Sequence, residues 1–446
     1  MNRLLASAAA SLALLSTWTP MLGAQDFEVL GKDVAQELAA RQYDKVEARF
    51  DARVASALPV ESLQLVWEKT LAQAGEFKAV TSVASAEQAG YQVVTVTCAF
   101  EKSPLNLRLA FDREGKIAGL FFVPVTPPWS APDYANPGAF HEQTVTVGAE
   151  PWQLPGTITE PNGSGPFPAV VLVQGSGPND EDETVGANKP FKDLAWGLAS
   201  RGIAVLRYEK RTHKYAAQLK KDTGNMTVKE EVTDDARAAV ALLAGRPEVE
   251  KAHIDVLGHS LGGMLAPRIA EGDGQIAGII IMAGSTRQLG PIVVDQVKYL
   301  ASLSGPVGEA AKKQIEGAEK FAQDYDSPAL KMGETVSMMG IPLPASYVLD
   351  LRRYDAAATA ARLKIPILVL QGESDFQVTR KDLEGWEQAL EGHKNVTVKT
   401  YPGLCHLFTP AGNPSSPEDY NKPGHVAKAT LDDIANWVLA QRKAGP

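Results

Sequence analysis

Three stretches in the first quarter of the chain alternate apolar and polar residues, which is the pattern of half-buried strands. They are residues 91–100, 105–111 and 117–123. Two segments before them, 26–50 and 62–74, repeat apolar residues at helical spacing. A turn at residues 112–115 predicts that the last two strands form a hairpin. Helices followed by antiparallel strands predict a small α+β domain over residues 26–123.

The pattern changes after a proline-rich stretch, residues 124–140, which we interpret as a linker. From residue 141 to 446, short apolar runs alternate with helical segments. The runs are residues 169–173, 203–206, 254–257, 278–282 and 365–370. Runs without polar alternation, separated by helices, predict a parallel sheet that is covered on both faces. Residues from about 285 to 360 lack such a run and predict a helical insertion, or lid, over the carboxyl edge of the sheet.

The first residues have the pattern of a secretory signal peptide. A positive charge at Arg3 precedes an apolar run, residues 4–15, and small residues lead to Ala24. We predict a signal peptide over residues 1–24 and an exported protein, periplasmic or secreted. The alternative is an uncleaved anchor, although the run is shorter than a spanning helix needs.

The composition of the chain limits the classes of partner that the protein is expected to bind. The chain has 446 residues, and its 44 basic and 53 acidic residues give a net charge of -9. That balance predicts no binding of nucleic acid or of an anionic membrane surface. Cys98 and Cys405 are too few for a disulfide framework or a cysteine-built zinc site, and a single bridge between them is left open. The oligomeric state is also left open.

One short motif carries the strongest chemical signal. Gly258, Ser260 and Gly262 form a G-x-S-x-G pattern between the apolar run 254–257 and a helical segment, 261–271. A tight strand-to-helix turn excludes side chains two residues before and after the serine, and it lifts the hydroxyl above the sheet. We therefore predict that Ser260 is a nucleophile. The alternative is a glycine-rich turn with a bystander serine.

A serine hydroxyl reacts only when a base takes its proton. On this type of sheet the acid and the base follow the serine along the chain, in the order Ser, Asp, His. Asp375 comes directly after the run 365–370, and His406 follows an apolar-alternating run at 396–401. The spacing predicts a triad of Ser260, Asp375 and His406.

Other residues compete for these roles. Glu373 is the alternative acid, and His425 is the alternative base, although a surface or capping role suits its position before the last helical segment. We expect His259 to pack against the turn. We expect Cys405 to be a small buried packing residue.

When the serine attacks, negative charge develops on the carbonyl oxygen of the substrate, and two N–H donors are needed to stabilise it. We predict the backbone N–H groups of Leu261 and of Ser176, which lies in the glycine-rich loop after the first parallel strand. The alternative for that loop is a plain turn. Gln174 in the same loop, and Met338 and Tyr347 in the insertion, are predicted substrate contacts; the insertion residues are equally compatible with core packing.

Five segments taken together resemble bacterial α/β-hydrolase esterases of the dienelactone-hydrolase-like branch. They are residues 174–184, 206–211, 257–263, 371–375 and 403–408. In that group a small domain similar to residues 26–123, of the DUF3887 type, often precedes the hydrolase. The resemblance implies an α/β-hydrolase fold, the triad Ser260, Asp375 and His406, and an oxyanion hole at Ser176 and Leu261. The chemistry requires no metal or organic cofactor.

The chain departs from that family at two positions. Gln174 stands where the family usually has His, and Glu181 stands where it usually has Arg. Three basic residues follow the next strand, Arg207, Lys210 and Arg211. We expect them to pair with the acids at 180–183; the alternative is that they bind a substrate carboxylate.

The sequence therefore predicts a serine carboxylesterase that cleaves small-molecule esters of short to medium acyl chains through an acyl-enzyme. Two alternatives remain: a serine peptidase or amidase with the same triad, and an envelope ligand-binding protein whose catalysis is incidental.

Overall fold

The computed structural model describes residues 26–88, 90–125, 127–219, 226–303, 305 and 308–444. The contacts divide the chain into two compact units, and the boundary between them along the sequence falls between residues 125 and 126. The predicted signal peptide, residues 1–24, lies outside the described residues. Among the helices that are described, none combines the length and the apolar character needed to cross a membrane.

The first unit packs helices against an antiparallel sheet. Its helices are α1 Phe27–Ala39, α2 Tyr43–Glu47, α3 Ala52–Ala57 and α4 Val60–Ala74, and its strands are β1 Phe77–Gln88, β2 Tyr91–Phe100, β3 Leu105–Phe111 and β4 Ile117–Pro124. The sheet order is β1-β2-β3-β4. Helix α1 lies so close to β2 that a Cβ on Gly31 would stand 2.6 Å from Val94. The predicted α+β character and the hairpin at 112–115 are confirmed.

Two details of this unit differ from expectation. Strand β1 was not predicted, because it is a mostly exposed edge strand whose small and polar residues carry no clear alternation. The helical segment at 26–50 contains two helices instead of one, since the chain turns at Arg41 with φ 57°.

The second unit contains an eight-stranded sheet and a separate hairpin. The strands are β5 Phe140–Val147, β6 Leu154–Pro161, β7 Phe167–Val173, β8 Ala204–Tyr208, β9 Val249–His259, β10 Gly278–Met282, β11 Thr335–Met338, β12 Ile341–Pro344, β13 Ile367–Gly372 and β14 Val396–Tyr401. The sheet order is β14-β13-β10-β9-β7-β8-β6-β5, and β6 alone runs opposite to the others. The expected mostly parallel sheet is confirmed. Strands β5 and β6 were missed, because β5 is largely exposed and β6 contains Pro and Gly.

Helices cover both faces of this sheet. The helices of this unit, including those of the insertion, are α5 Pro190–Ala199, α6 Arg211–Lys214, α7 Ala216–Leu219, α8 Asp234–Ala244, α9 Leu261–Ala270, α10 Leu289–Leu303, α11 Glu309–Asp326, α12 Ala345–Arg353, α13 Ala356–Arg362, α14 Arg380–Ala389 and α15 Lys428–Ala444. Short 3-10 turns occupy Pro137–Ala139 and Pro417–Asn421, and a π-helical turn occupies Lys229–Thr233. Helices α8, α9, α13 and α14 bury one face, and α5 and α15 bury the other.

The predicted lid is only partly helical. Helices α10 to α13 fall in it, but β11 and β12 form a hairpin between α11 and α12. Its turn uses Met339 and Gly340, both with positive φ, as a two-residue hairpin requires. Both strands are short and half exposed, and β12 contains Pro342 and Pro344, so no strand pattern is recognisable in the sequence there.

Two smaller expectations are also resolved. The proline-rich segment is not a free tether beyond residue 126, because Trp129 Nε1 donates to Asp193 at 2.8 Å and Tyr134 to the Val426 carbonyl at 2.8 Å. Cys98 and Cys405 are both buried and free, so they form no bridge.

Strand β9 carries an acid whose burial predicts a pH-dependent stability. Asp255 is 1% exposed, and one carboxyl oxygen has no hydrogen-bond partner in the described structure. Burial raises the pKa of Asp255 to about 7, against a hydrogen bond from Gln441 that lowers it. An unfolded Asp titrates at about 3.9, so below that pH the carboxyl is neutral in both states and its burial costs no ionisation free energy. As the pH rises from that value through about 7, only the unfolded state ionises freely, and the free energy of unfolding falls.

We expect Asp255→Asn to stabilise the protein at pH 8 by on the order of 2 to 4 kcal/mol, because the variant has no charge to bury. The gain should shrink towards pH 4.5. Urea unfolding at pH 4.5, 6 and 8 measures it, with the exposed Glu391→Gln as the matched control. A difference that does not change with pH would contradict the assignment.

Candidate active site

The site is built on a strained turn between β9 and α9. Ser260 lies between them with φ 54° and ψ -115°, a conformation that costs free energy in any residue with a Cβ. Its N–H donates to the Met282 carbonyl at 2.9 Å, and its carbonyl accepts from the Met264 N–H at 2.9 Å. These bonds hold the backbone while the side chain stays partly exposed.

The glycines around Ser260 are required by contact distances. A Cβ on Gly258 would stand 2.1 Å from the Gly262 oxygen, and a Cβ on Gly262 would stand 2.2 Å from the Val173 oxygen. Both distances are far inside van der Waals contact, so only glycine lets strand, turn and neighbouring strand approach this closely. The geometry is that of the nucleophile elbow that the sequence predicted.

His406 and Asp375 meet at the carboxyl edge of the same sheet. His406 follows β14 and Asp375 follows β13, and their Nδ1 and Oδ2 atoms are 2.6 Å apart. The Asp375 side chain is fully buried, and its other oxygen accepts from the N–H groups of Gln377 at 2.8 Å and Val378 at 3.0 Å. These donors hold the Asp375 carboxylate in place, and the carboxylate accepts a hydrogen bond from the Nδ1–H of His406. The Nε2 atom of His406 is then the proton acceptor.

The competing residues have other surroundings. Glu373 is exposed. The Nδ1 of His425 lies 3.0 Å from Asp193, and this hydrogen bond, against the effect of burial, raises the pKa of His425. Cys405 is buried with its sulfur 3.2 Å from the Thr409 hydroxyl. Asp375 therefore pairs with His406, while each competitor is exposed or engaged elsewhere.

The predicted oxyanion loop runs beside the nucleophile. A Cβ on Gly175 would stand 3.0 Å from the Ser260 Cβ, so the loop backbone is in contact range of the serine. Ser176 follows and is exposed. On the other side, Leu261 is the first residue of α9, where backbone N–H groups have no partner within the helix. Both predicted donors thus belong to segments that adjoin Ser260.

The three predicted substrate contacts have internal partners. Gln174 is 1% exposed, and its amide donates to the Tyr208 carbonyl. Tyr347 is buried in α12, and its hydroxyl is hydrogen-bonded to Glu231. Met338 packs in the small apolar cluster of the insertion. The packing alternative describes these contacts, and a role in binding substrate stays a prediction.

The basic residues after β8 pair with carboxylates, but mostly not with the expected ones. The pairs are Arg207 with Asp182 and Glu142, Lys210 with Glu231, and Arg211 with Asp235. Only Arg207 contacts the acids at 180–183. The expectation was wrong for Lys210 and Arg211, because the π turn and α8 bring acids from more than twenty residues away. Glu181 accepts a hydrogen bond from the Thr157 hydroxyl.

A histidine and a glutamate beside the triad have roles that sequence reasoning missed. His259 Nε2 lies 2.9 Å from the His406 carbonyl, and His259 Nδ1 lies 2.9 Å from Glu183 Oε2. Both partners are hydrogen-bond acceptors, and the contact of Nδ1 with Glu183 is an ion pair only when His259 is protonated. Burial lowers the pKa of His259, but the Glu183 carboxylate and the His406 carbonyl outweigh it and raise the pKa. The sequence does not single out Glu183 for this role, because it lies in an ordinary acidic stretch.

Among the described residues, no cluster of His, Cys, Asp and Glu could hold a metal ion.

Comparisons with known proteins agree with this architecture. Residues 32–120 match a family described as "Protein of unknown function (DUF3887)", and residues 187–409 match "Serine aminopeptidase, S33". The chain is 40% identical over 405 residues to Esterase EstD of Thermotoga maritima, which covers 91% of this chain and 93% of that protein.

Solved structures are also similar to the chain. Est1E from Butyrivibrio proteoclasticus is 16% identical with a TM-score of 0.44, covering 67% of this chain and 99% of that one. An esterase from Pyrobaculum calidifontis is 15% identical with a TM-score of 0.44, covering 68% and 86%. The resemblance inferred from the sequence motifs is confirmed by the family models and by the extent of identity to EstD. The chain belongs to the α/β-hydrolase family that includes Esterase EstD, with a DUF3887 domain preceding the hydrolase.

Proposed function

We propose that the protein is a carboxylic ester hydrolase whose catalytic triad is Ser260, His406 and Asp375. The observation that carries the proposal is the 2.6 Å contact between the buried side chains of His406 and Asp375, at the sheet edge where the Ser260 elbow also lies. Membership of the family of Esterase EstD supports the choice of ester as the bond that is cleaved.

The reaction follows from this arrangement. His406 Nε2 takes the Ser260 proton as the oxygen attacks the ester carbonyl carbon, and Asp375 stabilises the imidazolium that forms. The N–H groups of Leu261 and Ser176 donate to the oxyanion. His406 then protonates the leaving alcohol, which departs and leaves an acyl-enzyme. Water that gives a proton to His406 then attacks the acyl group, and His406 returns that proton to the Ser260 oxygen as the acid is released.

The insertion supports a preference for short to medium acyl chains. Its first helix, α10, packs against the loop that carries the acid: Gln296 donates to the Gln377 carbonyl at 3.1 Å, and Tyr299 stacks on Phe376 with ring centroids 5.3 Å apart. Aromatic and apolar surface therefore lies next to Asp375. We propose that the acyl group binds along this surface, which would limit its length.

One alternative has support of its own. The family model that matches residues 187–409 is described as a serine aminopeptidase, and the same triad can cleave amides. An amine is a poorer leaving group than an alcohol and must be protonated before it departs. The two activities are therefore separated by comparing matched ester and amide substrates.

Ser260→Ala should lower kcat for p-nitrophenyl butyrate by at least about 10⁴-fold, because the nucleophile is lost. Labelling of the protein by a fluorophosphonate probe should disappear as well. The exposed Ser130→Ala is the matched control and should retain both. Hydrolysis that survives in Ser260→Ala would show that another residue is the nucleophile.

Asp375→Asn should lower kcat by about 10⁴-fold with the fold intact, since an amide at this position can favour the wrong imidazole tautomer. Glu373→Gln changes a neighbouring exposed acid in the same way and should stay within about twofold of the wild type. Steady-state kinetics of both variants decides between the two acids. A larger loss in Glu373→Gln would reverse the assignment.

Substrate class is tested with p-nitrophenyl acetate, butyrate, octanoate and palmitate beside aminoacyl-p-nitroanilides. We expect kcat/KM to be highest for acetate or butyrate and to fall by about 10-fold or more by palmitate, because the insertion limits the acyl site. The anilides should be cleaved at least about 100-fold more slowly. Faster anilide cleavage would favour the peptidase alternative.

A further inference from the structure

The peptide group between Gly175 and Ser176 is held by a buried lysine. Lys210 is 2% exposed, and its ammonium lies 2.6 Å from the Gly175 carbonyl oxygen. Its own backbone N–H donates to the Asn179 carbonyl at 3.1 Å, so the segment after β8 contacts the loop twice. A buried ammonium is costly unless it is paired and hydrogen-bonded, and here one of its bonds goes to the loop backbone.

The geometry of a peptide makes this contact relevant to the oxyanion hole. The Gly175 carbonyl and the Ser176 N–H belong to one planar trans peptide, so they point in opposite directions. Fixing the carbonyl against Lys210 therefore fixes the direction of the Ser176 N–H. A charged donor on the carbonyl also polarises the peptide and strengthens its N–H as a hydrogen-bond donor.

We propose that Lys210 is a positioning residue for ester hydrolysis, which orients and polarises the Gly175–Ser176 peptide so that the Ser176 N–H stabilises the oxyanion. This inference rests on the proposed function, in which Ser176 supplies one of the two donors. Lys210 does not touch the substrate; it acts through the peptide.

The preceding peptide is held by the opposite charge. The Gly175 N–H donates to Glu183 Oε1 at 2.6 Å, and Glu183 is 3% exposed. The two polar backbone groups of Gly175 are thus bound to a buried carboxylate on one side and a buried ammonium on the other. A glycine that lacks side-chain restraint is in this way held in one orientation beside Ser260.

Lys210 is in turn connected to the insertion. Glu231, on the π-helical turn, lies 2.9 Å from the Lys210 ammonium and is 5% exposed. The hydroxyl of Tyr347, on α12, is hydrogen-bonded to Glu231. A continuous path of contacts therefore runs from the insertion through Glu231 and Lys210 to the oxyanion loop.

A plain structural ion pair would give a different result from a positioning role. If Lys210 served only to neutralise Glu231, removing both charges together would restore activity along with stability. If Lys210 positions the peptide, the double change restores the fold but not the rate, because the Gly175 carbonyl keeps only the neutral Asn179 amide, at 3.1 Å, and lacks the charged donor.

The experiment compares Lys210→Met, Glu231→Gln and the double variant Lys210→Met/Glu231→Gln in the full chain. Lys189→Met, which removes a partly buried lysine paired with Asp182 at 2.8 Å, is the matched control. Each variant is assayed for kcat and KM with p-nitrophenyl butyrate, for inhibition by a trifluoromethyl ketone, and for unfolding in urea. The ketone forms a tetrahedral adduct with the serine and so reports on the oxyanion hole.

We expect kcat to fall by about 10- to 100-fold in Lys210→Met and in the double variant, less than the loss of a donor itself, with KM changed by no more than about threefold. The inhibition constant of the ketone should rise by the same factor as kcat/KM falls. Glu231→Gln and Lys189→Met should stay within about threefold of the wild type.

A folded double variant whose kcat lies within about threefold of Glu231→Gln would overturn the proposal, and so would a loss of rate without weaker ketone binding. The double variant keeps the test decisive if Lys210→Met alone does not fold, since it leaves no uncompensated buried charge. Failure of the proposed function is recognised separately, by hydrolysis that survives in Ser260→Ala.

Discussion

The structure depends on one strained residue, Ser260, held at positive φ where β9 passes into α9. The strain persists because the neighbouring backbone leaves no room for another conformation. Gly258 lies against Gly262, and Gly262 lies against Val173, with no space for a side chain at either glycine. The N–H of Ser260 is also bound to Met282 on the adjacent strand. A central position in a parallel sheet therefore supplies the rigidity that the elbow requires, and the flanking loops are arranged around it.

Buried charges, rather than apolar packing, hold the loops around the elbow. Glu183, Lys210 and Glu231 are each at most 5% exposed, and each contacts another charged group or the loop backbone. Such groups contribute little net stability, because desolvation offsets most of their attraction. Their value is directional: a carboxylate and an ammonium accept and donate along defined lines, which apolar side chains cannot do. The site therefore uses costly interactions where orientation matters.

The sequence was sufficient for the parts of the molecule that follow local rules. The parallel strands are continuous apolar runs, and the elbow has a fixed spacing of glycines, so both were predictable. The acid and the base were predictable as candidates from chain order, and the contact of Asp375 with His406 is where the structure adds most. The edge strand β1 and the hairpin of β11 and β12 were missed, because exposed strands lack the alternation that burial imposes.

The partners of buried charges could not be predicted, because they are set by contacts between distant segments. Lys210 reaches Glu231, and Glu183 reaches His259, across turns that no local pattern specifies. The second pair bears on the chemistry. When His406 takes the Ser260 proton, its imidazolium forms with its ring centroid 4.7 Å from that of His259, so a protonated His259 would place a second positive charge beside it. Two such charges repel by about 3 to 4 kcal/mol at an effective dielectric constant of about 20. Glu183 lies 2.9 Å from the His259 Nδ1 and Asp375 lies 2.6 Å from the His406 Nδ1, so a carboxylate adjoins each ring and offsets this repulsion within the site.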